Sequence, residues 1–234
     1  EYFIALGFVL LTEKDSSKRG VMIQGMYRSN FVIIGLPLAG ALVEGADLSG
    51  VVVLIAVVVP MFNVLAVITL EVFNGKKPSA GKLLLEIAKN PLIIGAVTGI
   101  IALLLKIKLP GALESAAEQI YAATNPLMLF LLGAFFKFDG IKKYAKEIAK
   151  VCTGRLVVFP AIFLSLAALT GIKGVEFAGM IAIFGSATAI ASFTMAQQMG
   201  GDAELAGDIV VATSALCSFT MFGWSLLFKS LGVF

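Results

Sequence analysis

The sequence predicts an all-α, polytopic membrane helix bundle, and three observations predict it. Hydrophobic residues fill 59% of the 234 positions and charged residues 14%, against about 25% charged in an ordinary soluble domain. The apolar residues fall in long blocks: Ser49 to Leu70, Gln119 to Phe136, Leu156 to Ile172, Phe177 to Gly201 and Ile209 to Phe228 contain no charge. The basic residues sit between those blocks and crowd into alternate gaps. A soluble protein with buried helices would need more polar surface than this chain possesses.

Each block is about as long as a helix must be to cross roughly 30 Å of hydrocarbon. Seven full crossings follow, at 22–42, 49–73, 86–106, 113–137, 150–171, 174–199 and 205–229. Glu1 to Thr12 is apolar but too short to span alone. The expected linkers are short and polar: Glu13 to Gly20, Val43 to Leu48, Asn74 to Leu85, Asp139 to Ala149 and Gly200 to Glu204. Ile141 to Ala149 reads as a basic juxtamembrane helix facing lipid headgroups.

Orientation follows from the lysine and arginine bias. With alternate linkers on the same side, one side collects Lys14, Lys18, Arg19, Arg28, Lys76, Lys77, Lys82, Lys89, Lys137, Lys142, Lys143, Lys146, Lys150 and Arg155. The other collects Lys106, Lys108, Lys173 and Lys229. The fourteen mark the cytoplasmic side, which places the C-terminus outside in the cell (inner or plasma) membrane.

Several function classes lose support. No histidine is present, which removes imidazole metal sites, histidine triads and the usual proton shuttle. Cys152 and Cys217 lack metal-ligand spacing. The net charge of +3, spread over the linkers, gives no nucleic-acid footprint. An enzyme reading lacks a ligand cluster or a nucleophile–base pair.

Two crossings are irregular. The first contains Ser29-Asn30-Phe31-Val32-Ile33-Ile34-Gly35-Leu36-Pro37-Leu38-Ala39-Gly40. Pro37 lacks an N–H, so the Ile33 carbonyl is expected to lose its helical partner. The second contains Gly185-Ser186-Ala187-Thr188-Ala189-Ile190-Ala191-Ser192-Phe193-Thr194, a polar run of small residues that ends in Gln197-Gln198. These are the first and sixth full crossings, so they run in opposite directions, as an inverted repeat of five helices requires. Discontinuous helices at matching positions point to a midplane binding site in secondary transporters. Half-helix N-termini suit a carboxylate. The bland alternative is close packing, since small residues are ordinary in membrane helices.

The residues resemble those of the auxin efflux carrier family, including its bacterial malonate and malate permease-like members. Arg28-Ser29-Asn30-Phe31 followed by Ile34-Gly35-Leu36-Pro37-Leu38 resembles the family's fourth helix. Asn90-Pro91-Leu92-Ile93 resembles its sixth, Asn125-Pro126-Leu127 with Leu132-Gly133-Ala134 its seventh, and Ser186-Ala187-Thr188 through Ala191-Ser192-Phe193-Thr194 its ninth. The resemblance implies two inverted five-helix repeats with crossed broken helices four and nine, the first two helices missing from this chain. Residues 1–73 would hold the end of helix three with helices four and five, 74–85 a cytoplasmic linker, and 86–234 helices six to ten. Homodimer formation is a further family expectation. The family's ninth helix commonly has a proline at its crossover; here Gly185 and the hydroxyls are left to carry the break.

The expected activity is alternating-access movement of small organic anions such as malonate, malate or an auxin-like carboxylate. The expected site joins Asn30, Gly35, Pro37, Asn63, Ser186, Thr188, Ala189 and Ser192, with backbone N–H groups near Gly35 and Ala189 facing the carboxylate and the amides and hydroxyls adding bonds. No Asp or Glu lies at mid-membrane in the seven crossings, which weakens a proton-antiporter reading. No cofactor is expected, and coupling to H+ or Na+ stays open. Arg28 either snorkels to the headgroups or draws anions to the cytoplasmic vestibule. The competing readings are a sodium-coupled organic-anion symporter of the bile-acid type and a non-transporting membrane subunit.

Overall fold

The computed structural model describes residues 1–43, 45, 47–73, 80–135 and 138–233. Helices carry the fold, and the β-type pairing among the described residues amounts to one isolated bridge between Ser29 and Thr188. In chain order the helices are α1 (Tyr2–Thr12), α2 (Ser16–Tyr27), α3 (Leu36–Leu42), α4 (Ser49–Phe73), α5 (Ala80–Lys89), α6 (Pro91–Leu104), α7 (Gly111–Phe135), α8 (Phe138–Lys143), α9 (Ala145–Thr153), α10 (Phe159–Leu169), α11 (Gly174–Gly185), α12 (Ala191–Met199) and α13 (Ala203–Ser230). π-helical turns at Phe31–Gly35 and Gly154–Val158 lead into α3 and join α9 to α10.

Three segments are long and apolar enough to cross a membrane: Ser49–Phe73, Ala145–Leu169 and Ala203–Ser230. Twenty-five residues rise about 37 Å at 1.5 Å each, more than the hydrocarbon needs. Their starts have local causes. Asp47 accepts from the Ser49 N–H at 2.8 Å, and Asp202 accepts from the Leu205 N–H at 3.0 Å. Each carboxylate satisfies an N–H that has no partner inside its helix. Asp15 caps α2 in the same way through Ser17.

Pro160 explains the second long segment. It cannot donate to the Leu156 carbonyl one turn earlier. The chain answers with the π turn, in which the Phe159 N–H reaches the Gly154 carbonyl, and with Trp224 of α13, whose Nε1–H donates to the Leu156 carbonyl at 3.0 Å. The orphaned acceptor thus ties α13 to α9–α10.

Several boundaries differ from the sequence expectation. The crossing expected at 22–42 begins at Ser16 and is interrupted at Arg28–Asn30, not at Pro37. Pro37 enters in the first turn of α3, where a missing N–H costs little. The crossing expected at 86–106 is split between α5 and α6, because Pro91 pushes Asn90 out of the helical region. The linker expected at Asp139 to Ala149 is helical, and α9 runs on into the crossing from Ala145. Of the linker Asn74 to Leu85, residues 80–85 are helical and 74–79 lie outside the described residues, as does Lys137.

The main core lies where α2, α4, α9, α12 and α13 meet, with Met22, Ile23, Met26, Tyr27, Leu70, Val151, Met195 and Ile209 buried together. On α6 and α7, Leu103, Leu104, Ile120, Tyr121 and Phe130 are exposed, an apolar surface of the kind that membrane helices turn to lipid. At the end that carries the basic linkers, Lys18 pairs with Glu147 at 2.6 Å, Lys143 with Glu204 at 2.7 Å, and the Tyr144 hydroxyl donates to Asp202 at 2.8 Å. These contacts fasten α2, α8–α9 and the start of α13 to one another.

Candidate functional site

The two interrupted helices cross at their breaks. After Tyr27 the backbone turns extended at Arg28, and after Gly185 it does so at Ser186. Ser29 and Thr188 pair as an antiparallel bridge. The Asn30 N–H donates to the Ala187 carbonyl at 2.8 Å, and the Ala189 N–H to the Arg28 carbonyl at 2.9 Å. The second break is therefore complete without a proline: the crossing backbone of the first break supplies what the helix gives up.

A buried helix end leaves carbonyls without partners, and each must find a donor. At the end of α2 the Gln24 carbonyl takes the Arg28 N–H at 3.0 Å, the Gly25 carbonyl takes the Thr188 hydroxyl at 2.6 Å, and the Met26 carbonyl takes Arg155 Nη1 at 3.4 Å. At the end of α11 the Ile183 carbonyl takes Arg155 Nη2 at 2.7 Å and the Ser186 carbonyl takes Arg155 Nε at 2.9 Å. One guanidinium caps the negative ends of both half-helices. Arg155 is 0% exposed, and Glu1 on the approach to α1 pairs with it at 3.1 Å.

Arg155 is the residue that sequence reasoning missed. Counted with the cytoplasmic charges, it lies instead at the centre of the molecule. The signal was present: it stands five residues, more than a helical turn, beyond Lys150 and directly before the charge-free run from Leu156. An ionisable residue so far inside a span calls for an explanation. Arg28 is likewise buried and does not snorkel; its Nη2 donates to Asn63 Oδ1 at 2.5 Å and its Nη1 to Gln24 Oε1 at 3.2 Å.

Of the expected site residues, Asn30, Asn63, Ser186, Thr188, Ala189 and Ser192 are all buried at or beside the crossover. Asn63 arrives from α4 through Arg28. The Ser186 hydroxyl donates to Ser29 Oγ at 3.3 Å, and the Thr188 N–H meets Thr213 Oγ1 of α13 at 3.2 Å. The Ala189 N–H is already bonded across the break and is not a free donor in this arrangement. Gly35 and Pro37 stand apart. A Cβ on Gly35 would come within 2.6–2.7 Å of Ala182, so glycine there lets the first broken helix touch α11. Pro37 is exposed on α3.

An apolar bundle centred on two crossed, interrupted helices, with its polar groups gathered at the breaks, defines a class of polytopic membrane protein. The sequence profile of the family described as Membrane transport protein, the auxin efflux carrier type, matches residues 2–225, and the chain belongs to that family. The family is one of transporters, and the protein is accordingly a multi-pass membrane transporter. No curated protein and no solved structure matches the chain.

Proposed function

We propose that the protein moves small organic anions, with malonate, malate and auxin-like carboxylates as the candidate class, by alternating access around the helix crossover. The observation that carries the reading is the crossover itself. Two half-helices, Phe31–Leu42 and Ala191–Met199, begin there, and their N-terminal ends present partial positive charge to one region. Asn30, Asn63, Ser186, Thr188 and Ser192 supply amides and hydroxyls around it; Ala189 holds the crossing backbone, and Gly35 and Pro37 shape the first half-helix. Residues 1–73 and 86–234 are read as parts of two inverted repeats, which alternate as the inner ends of the bundle separate and rejoin.

The test is uptake by the complete protein in liposomes against a panel of dicarboxylates and aromatic acids. Asn30→Ala is expected to cut the uptake rate about tenfold or more, as loss of a buried ligand-facing hydrogen bond does, with folded yield unchanged. Unchanged uptake would remove Asn30 from the site. Dependence of wild-type uptake on external sodium would move the assignment to a sodium-coupled symporter, and absence of uptake for every anion would leave a non-transporting subunit.

A further inference from the structure

We propose that Arg28 is the fixed counter-ion of the transported carboxylate, with the Ser192 hydroxyl as a second donor; this rests on the reading of the protein as an anion carrier. The two buried arginines of the crossover differ in their partners. Arg155 has the Glu1 carboxylate and three backbone carbonyls. Arg28, 4% exposed, has neutral acceptors alone: the Gln24 and Asn63 amide oxygens and the Met195 sulfur, the last at 2.8 Å from Nη1. Among the described residues no carboxylate lies within ion-pair distance of it. A guanidinium stays protonated at any physiological pH. Amide and thioether partners occupy its hydrogens but leave its charge uncompensated, and a buried charge of that kind is retained where something of opposite sign arrives to meet it.

The second observation is independent of the first. The Ser192 hydroxyl is buried, at 2% exposure, and has no hydrogen-bond partner. Ser192 belongs to the same cluster. Its carbonyl accepts from Gln24 Nε2 at 3.1 Å, and the oxygen of that same amide accepts from Arg28. Met195, one turn further along α12, brings its sulfur to the Arg28 guanidinium. Ser192 also stands in the first turn of α12, at the positive end of the helix. A cation without a counter-ion, an unused hydroxyl and a helix N-terminus together match one carboxylate: the guanidinium offers paired N–H donors and the hydroxyl a third bond.

The complete protein in liposomes tests this with labelled malonate as probe, and each variant's melting temperature is measured in detergent. Arg28→Gln is expected to raise KM about 30-fold or more, and Arg28→Lys, which keeps the charge but loses the fork, by less. Discrimination between malonate and its uncharged diamide, read from their inhibition constants, should fall toward one in Arg28→Gln, a change that a merely structural role would not produce. Ser192→Ala should raise KM several-fold with an unchanged melting temperature, because its hydroxyl has no bond to lose. A KM within twofold of wild type in a folded Arg28→Gln protein overturns the proposal. If Arg28→Gln does not fold, an unchanged KM in Ser192→Ala overturns it. Absence of uptake by wild type for every anion on the panel overturns the carrier reading itself, a result distinct from wild-type uptake that ignores Arg28.

Discussion

Arg155 shows how far one side chain can carry a fold. The crossover buries the carbonyl ends of two helices where no water is at hand, and each unsatisfied group there is costly. The planar guanidinium reaches both ends at once, through Nε and Nη2 to α11 and through Nη1 to α2, while Glu1 balances its charge. A lysine would keep the charge but present a single point of donation in place of the fork. Arg155→Met is therefore expected to cost about 3–5 kcal/mol, the usual result of removing one member of a buried ion pair, and Arg155→Lys to recover only part of it. Thermal melting of the detergent-solubilised variants checks this; a melting temperature equal to wild type in Arg155→Met would show that the carbonyls find other donors. The sequence marked Asn30, Asn63, Ser186, Thr188 and Ser192 because polar residues in apolar runs stand out, and the structure buries all five. The sequence left Arg155 among the basic linkers and Arg28 between the headgroups and the vestibule, because both lie near the edge of an apolar block and depth is a property of the folded helix.

At the scale of elements, proline positions decide less than the contacts that answer them. Pro37, Pro60, Pro91, Pro126 and Pro160 all fall in or beside helices, yet the break in the first irregular crossing lies at Arg28–Asn30. The reason is long-range: the crossing strand of α11–α12 offers backbone donors and acceptors only there. Pro160 gives the cleanest case of an orphan rescued by a neighbour, since the Leu156 carbonyl that it frees is taken by Trp224. Trp224→Phe keeps the ring stacking with Phe228 and removes the donor. It is expected to destabilise the protein by about 1–3 kcal/mol, the cost of a buried acceptor left unmade, and melting measurements beside Trp224→Leu separate the lost hydrogen bond from lost ring packing. A Phe variant as stable as wild type would show that the π turn satisfies Leu156 without help.

For the whole molecule, membrane orientation is the property that the charge pattern sets. With Arg28 and Arg155 withdrawn to the crossover, the basic side still holds twelve of the remaining sixteen lysines and arginines, so the bias survives the correction. Asp47 and Lys142 are both exposed, and the charge bias assigns them to opposite sides. A cysteine introduced at Asp47 is expected to react with a membrane-impermeant maleimide applied outside intact cells, and one at Lys142 only after the cells are opened. The reverse pattern would turn the molecule over.

The sequence by itself determined the fold class, the family, and that the crossings around Pro37 and Ser186 would be irregular, because charge-free length and the clustering of small polar residues are local properties readable along the chain. Only the tertiary structure decided where the breaks fall and which cations belong to the centre. The break at Arg28–Asn30 exists because distant backbone at Ala187–Ala189 pairs with it, and Arg155 is a structural cap because two carbonyl ends converge on it. Hydrogen bonds that close across such separations leave no periodic mark in the residues that make them.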